Sequence, residues 1–376
     1  MAKKQFSEAK QQAISQLAKG SYTLEQVHSR YHKDRDVVLA AAGTDVNFLH
    51  CADWSFRSDR EIMTKAVQCN ASSIGFAEGE LAEDKELALA AFNIPTHLYE
   101  WQRGAVFRSL PESLRADRDV TLAAVAKYGG SLEHTTDALR ADRDVVVTAV
   151  TEFPWSFQFA DSKLRDDRTL AHFALNRGAY LKHVSDHLRD DGELVAIALA
   201  RWGGNLEGAS ARWQSDEQTV LMAISHDPRY IRFASPTLLK DKTFAFKALS
   251  IEGQCLEFID EQLKQDREIV MAAITNNGCA LRHAAPEFQR DKKTMLVALE
   301  SDWMALENAS SHDRADKLFI LEAVRVRPSA LNDASAEIQA ICKDVDPVKA
   351  LQSAILSDKL TAQLKPKVEQ KRAMKI

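Results

Sequence analysis

A chain of 376 residues with 45% hydrophobic and 27% charged residues, but only 14 Gly and 9 Pro, has the balance of a folded helical protein and excludes a disordered or collagen-like one. Its formal net charge of -5 gives no general support for nucleic-acid binding, and five scattered cysteines without C-x-x-C spacing argue against a disulfide framework and for a reducing compartment. The start, Met1-Ala2-Lys3-Lys4-Gln5-Phe6-Ser7, lacks the apolar core of a signal peptide, and no apolar run is long enough to span a bilayer; the chain is expected to be soluble and cytoplasmic, with signal-independent secretion left open.

The first elements expected are a helix over Ser7 to Lys19, with Ala9, Ile14 and Leu17 at helical spacing, and a second over Thr23 to Arg30. Together they make residues 1–33 an N-terminal helical cap.

From residue 34 a short phrase recurs twelve times, as in Asp34-Arg35-Asp36-Val37 and Asp117-Arg118-Asp119-Val120. Its aspartates fall at 34, 59, 84, 117, 142, 167, 191, 216, 241, 266, 291 and 316, so nine of eleven intervals are 25 residues, one is 24 and one is 33. A period of that length signals a repeat array of small supersecondary units. With the aspartate as position zero, position seven is alanine in every repeat, from Ala41 to Ala323, position eight is always apolar, and position three or four adds an apolar residue. Apolar residues at three, four, seven and eight form one stripe of an α-helix, and a methyl at seven lets two helix axes approach closely. The aspartate is a favoured N-cap, and seven repeats place Asp or Glu two residues on, where the helix dipole favours negative charge. Gly129, Gly203, Gly253 and Gly278 at position twelve, and Gly178 at eleven, read as C-terminal glycines that release the chain after about eleven residues.

A second apolar set follows at position fifteen (Leu132, Phe157, Leu206, Leu281), with a small residue three places on, often followed by Ser, Asp or Pro. A closing Leu, Phe or Trp then stands three residues before the next aspartate. This reads as one short helix of one to two turns. The basic residue at position one (Arg35, Arg60, Lys85, Arg118 and their equivalents) would stack with the aspartates into a mixed-charge ladder. Each pair is exposed and worth about 0–1 kcal/mol. The paired acids of the phrase are assigned to capping, because a role repeated in seven or more units cannot be a single active site.

The 33-residue interval holds eight extra residues within Glu100 to Leu110. Its Trp101, Arg103, Phe107 and Arg108 are residue types enriched at binding hot spots, and they are the candidate partner-binding residues; the competing reading is a longer helix whose Trp and Phe complete the core. His134, His183 and His283 share one register but never fall in adjacent repeats, too far apart to share a zinc ion. No phosphate loop, nucleophile elbow or metal-binding helix is found, so no catalytic residue, cofactor or metal is expected. After Ala334 the phrase disappears. Ile338, Ile341, Val345, Val348, Leu351, Ile355 and Leu360 suggest helices that cap the other end over 335–376, followed by a basic tail from Lys365 that reads as a solvated terminus.

The repeats Leu114-Arg115-Ala116-Asp117-Arg118-Asp119-Val120 and Leu263-Lys264-Gln265-Asp266-Arg267-Glu268-Ile269, each running on into Ala-Ala, resemble a tandem-repeat family catalogued as domain of unknown function 4116. The resemblance covers roughly Tyr31 to Ala334 and implies a helical repeat but no activity. Gly192, Glu217 and Asp313 depart from the pattern. The expected fold is an all-α solenoid of helical hairpins spanning 34–334. The expected function is a non-enzymatic protein-interaction scaffold, binding a protein partner by its concave face or the 100–110 insertion. The alternatives are a nucleic-acid-binding repeat using the basic ridge and an enzyme with a site in the groove.

Overall fold

In all twelve repeats the phrase aspartate accepts a hydrogen bond from the backbone N–H two or three residues on, and the α-helix begins at the next residue. The computed structural model describes residues 2–94, 100–306 and 309–373, with side chains over 7–94, 104–302, 304–306 and 309–362. Among the described residues every regular element is a helix. Most of the long helices have ten residues, such as Arg143–Glu152 and Arg267–Asn276. The position-seven alanines are all buried, at most 4% exposed, so the stripe expected from the sequence faces the core.

The chain divides into two compact halves, Met1–Ala198 and Leu199–Ile376. In the first, the long helices Arg60–Cys69, Lys85–Asn93, Arg118–Val125 and Arg143–Glu152 pack in succession. The helix Ala2–Ala18 lies against Arg35–Ala41, burying Ala13 and Leu17, while the second helix expected before residue 31 is instead two short 3-10 turns, Leu24–Gln26 and Ser29–Lys33. In the second half, Glu217–Ile224, Lys242–Ile251, Arg267–Asn276, Lys292–Ser301 and Lys317–Val326 pack likewise, and Pro347–Ala373 lies on the last of them. There Ile338 and Leu351 are buried, but Val345 and Leu360 are exposed.

Two expectations are corrected by the turn. The single short helix is a 3-10 helix followed by a separate turn of helix, as in Pro154–Phe159 and then Ser162–Arg165. The small residue at position eighteen is extended and ends the 3-10 segment, and the Ser, Asp or Pro after it starts the second turn: Asp161 accepts from Lys163 N–H, and Ser235 from Leu238 N–H. The backbone N–H at that start also stitches repeats together, Asp161 donating to Arg140 C=O at 2.9 Å and Ser235 to Gln214 C=O at 2.8 Å. The second correction concerns glycine. Of these five glycines Gly178 alone ends its helix in the left-handed region, with φ 109°. Gly129, Gly203, Gly253 and Gly278 have no positive φ and begin 3-10 helices. A Cβ at Gly129, Gly253 or Gly278 would lie 2.1–2.2 Å from the carbonyl oxygen of Ala149, Ala273 or Ala298, the position-seven alanine of the next repeat.

The charge ladder has a direction. Each basic residue at position one reaches the cap of the following repeat: Arg35 to Asp59 at 2.7 Å, Lys85 to Asp117 at 2.9 Å, Arg118 to Asp142 at 2.7 Å, Arg168 to Asp191 at 2.7 Å, Lys242 to Asp266 at 2.7 Å. Lys10 of the first helix meets Asp34 and Lys317 meets Asp358 of the last, so flanking helices supply the terminal rungs. Gly192 and Glu217 supply none, and Glu217 instead accepts from Lys247 at 2.6 Å. The hydrogen bonds from Arg35, Arg118, Arg168 and Lys242 hold Asp59, Asp142, Asp191 and Asp266 below the ordinary carboxylate range, and the Thr169 hydroxyl brings Asp167 to about 2.

Folded-state pKa values that are depressed stabilise the protein above the unfolded value and lose that contribution as pH falls through the folded value. For Asp167 the window runs from the ordinary carboxyl value of 3.8 down to about 2. The urea midpoint is therefore expected to hold from pH 7 to about pH 5 and to drop steeply below about pH 4. Asp142→Ala should show a smaller drop; a midpoint constant down to about pH 2.5 would remove the caps as the source of acid sensitivity.

Candidate functional site

The inserted segment forms the helix Glu100–Arg108, and its helical phase separates the expected site residues. The Phe107 side chain is fully buried, its ring 6.2 Å from that of Phe92, with Val106 and Leu110 buried beside it. The expectation that Phe107 meets a partner is therefore corrected: the ring fills the core that the extra turn would otherwise leave open. Arg108, one residue on, is exposed. The Trp101 and Arg103 side chains lie outside the described residues.

Arg108 lines a cleft of about 470 Å³ together with Gly104, Tyr128, Glu133, His134, Phe153, Trp155 and Phe159. The repeat builds its wall. Tyr128 and Phe153 both stand at position eleven, on the outward side of the stripe, and Pro154 turns the chain so that Trp155 projects from the first turn of its 3-10 helix. The rings form a run: Tyr128 to Phe153 at 5.8 Å, Phe153 to Trp155 at 5.5 Å edge to face, and Trp155 stacked on Tyr180 at 5.3 Å and 23°. Such pairs add about 0.5–1.5 kcal/mol each beyond burial and hold the rings in place. Tyr128 fits because Gly104 and Gly130 carry no side chain; a Cβ there would come within 2.7 and 2.6 Å of its ring. Trp155 remains 46% exposed.

Arg108 has no ion-pair partner among the described residues. Burial pushes His134 below its usual value; Glu133 opposes this, while Arg108, Arg115 and Arg140 reinforce it. Arg115 and Arg140, each two residues before a phrase aspartate, clamp turn carbonyls: Arg115 donates forward to His134 C=O at 2.8 Å and Arg140 back to Glu133 C=O at 2.7 Å. Like Arg140, Gln214, Lys264 and Gln289 donate back to their own preceding turns, and Gln339 does so in the same register after the last phrase. This clamp was missed because its residue types differ and only their donor character is shared.

The cleft offers aromatic faces and a guanidinium fork but no nucleophile held by a base. The thiols lie elsewhere, and burial pushes them up, Cys255 to about 12. No group of His, Cys, Asp or Glu among the described residues is arranged to hold a metal ion, and no described helix is long and apolar enough to cross a membrane. His183 packs on Tyr180 of its own repeat at 6.0 Å, and His283 lies 3.9 Å from Glu257 of the preceding repeat. The half-buried and exposed rings did carry a sequence signal: Tyr128, Phe153, Trp155 and Tyr180 are bulky aromatics at positions eleven and thirteen in three successive repeats, outside the buried stripe.

No curated protein and no solved structure matches the chain. The family model described as Domain of unknown function (DUF4116) matches residues 216–264, 241–289 and 291–339, windows in register with the phrase aspartates at 216, 241 and 291. Residues 216–339 thus match tandem helical repeats of the DUF4116 family, and the capped helix and charge rung of that region recur toward the N-terminus.

Proposed function

We propose that this chain is a non-enzymatic protein-interaction scaffold, and that it takes its partner at the aromatic cleft beside the insertion helix. The observation that carries this reading is the run of rings through Trp155, which is nearly half exposed on a frame of stacked repeats. An exposed Trp and half-buried Tyr rings beside an Arg with no ion-pair partner among the described residues are the residue types that dominate binding energy at protein interfaces. The nucleic-acid alternative has less support. Most of the basic residues it would use at position one are taken by carboxylates of the next repeat, so the ridge presents both signs of charge.

Affinity capture from native lysate, run in parallel with the parent chain and Trp155→Ala, tests the reading. The variant is expected to melt within a few degrees of the parent and to lose about tenfold or more of its retained partner, the effect of removing a hot-spot residue. Equal retention by the folded variant would overturn the aromatic cleft as the docking site.

A further inference from the structure

Resting on that reading, we infer that the occupant of the cleft is an extended acidic peptide segment carrying one apolar anchor. The cleft does not end at Trp155. Gln158 and Phe159 line both it and a second hollow of about 460 Å³, bounded by Arg140, Asp161, Ser162 and Arg165. The two form one groove within the first half. An extended chain advances about 3.3 Å per residue and points alternate side chains the same way, so it can seat an anchor in the aromatic part while its neighbours reach the charged rim.

The aromatic part suits a Phe, Trp or Leu anchor, since Tyr128, Phe153, Trp155 and Phe159 supply its walls. The charges of the rim decide the sign of the flanking residues. Asp137 is engaged by Arg140 at 3.4 Å, and Asp161 accepts the N–H of Lys163 at 2.9 Å. Arg108 has no ion-pair partner among the described residues, and three arginines against one glutamate act on His134 in the cleft wall. A partner carboxylate gains a charge-assisted contact with Arg108; a partner ammonium meets Glu133 but is repelled by Arg108 and Arg140. A single-stranded nucleic acid would also find rings to stack on, but it brings one phosphate per nucleotide past Glu133, Asp137 and Asp161. Alternating charge along the groove suits the sparse carboxylates of a peptide better.

The test uses the full chain and fluorescence anisotropy of labelled Gly-Ser nonapeptides. One has a central Phe flanked by two Glu, one has Lys in place of Glu, one has Ser in place of Phe, and an oligouridine of about ten nucleotides serves as competitor. The Glu peptide is expected to bind at least about tenfold more tightly than either other peptide, with affinity falling as salt rises. Arg108→Glu should abolish or reverse the Glu-over-Lys preference, and Arg108→Ala should remove most of it, with melting temperatures checked for both. Equal affinity for the Glu and Lys peptides, an Arg108→Glu variant that keeps the preference, or displacement by oligouridine at lower concentration than by unlabelled Glu peptide would each overturn the inference. No binding by any peptide would also overturn it. The scaffold reading would then stand or fall separately on whether Trp155→Ala loses the lysate partner.

Discussion

Replacing Phe107 with alanine is expected to destabilise the N-terminal half by about 3–5 kcal/mol, the usual cost of deleting a fully buried aromatic side chain. Its ring is fully buried and shares its site with Phe92, so the cavity cannot be filled by solvent without exposing that partner to water. In a half of this size the loss corresponds to a fall in melting temperature of roughly 10 °C. Arg108→Ala, one residue along the same helix, should leave melting essentially unchanged because the side chain is exposed. The pair separates core from surface within the insertion, and a Phe107→Ala variant that melts with the parent would show that the inserted helix does not share the core of the repeats.

Why the phase of that helix was not legible in the sequence, when the long helices were, is a matter of redundancy. The aspartate cap and the position-seven alanine occur twelve times, and each repeat tests the same rule against different neighbours, so one steric or hydrogen-bonding cause survives. The insertion occurs once. With Trp101, Arg103, Phe107 and Arg108 all compatible with either a surface or a core, nothing in its composition fixes which side of the helix faces inward. The glycines at position twelve misled for a different reason: local rules place glycine after a helix for its positive φ, but here the constraint is a carbonyl twenty residues ahead in the chain. The 3-10 segment is hidden in the same way, since Ser, Asp or Pro after a small residue reads as the interior of one short helix although it is the start signal of a second turn.

That carbonyl contact leads to a second large effect. Gly129→Ala and Gly278→Ala are each expected to destabilise by about 1–3 kcal/mol through overpacking, although neither residue needs a left-handed backbone. The added methyl would press on Ala149 or Ala298 carbonyl oxygen at 2.1 Å, and that oxygen is not free to move. It already accepts the last N–H of its own helix, from Phe153 at 2.8 Å or Asp302 at 3.0 Å. Relief must therefore come from sliding one repeat against the next, which strains the stitching bonds and charge rungs between them. The cost is one of fit rather than conformation, because other repeats carry a Cβ at this register, at Ala71 and Pro154, with the neighbouring chain set to receive it. Gly43→Ala provides the control: a Cβ there meets nothing within 4 Å, and the change should stay within about 0.5 kcal/mol. Urea denaturation of the three variants checks the expectation. If Gly278→Ala unfolds with the parent, the seam between repeats is soft, and the alanine at position seven is required by its own helix packing rather than by the turn that rests on its carbonyl.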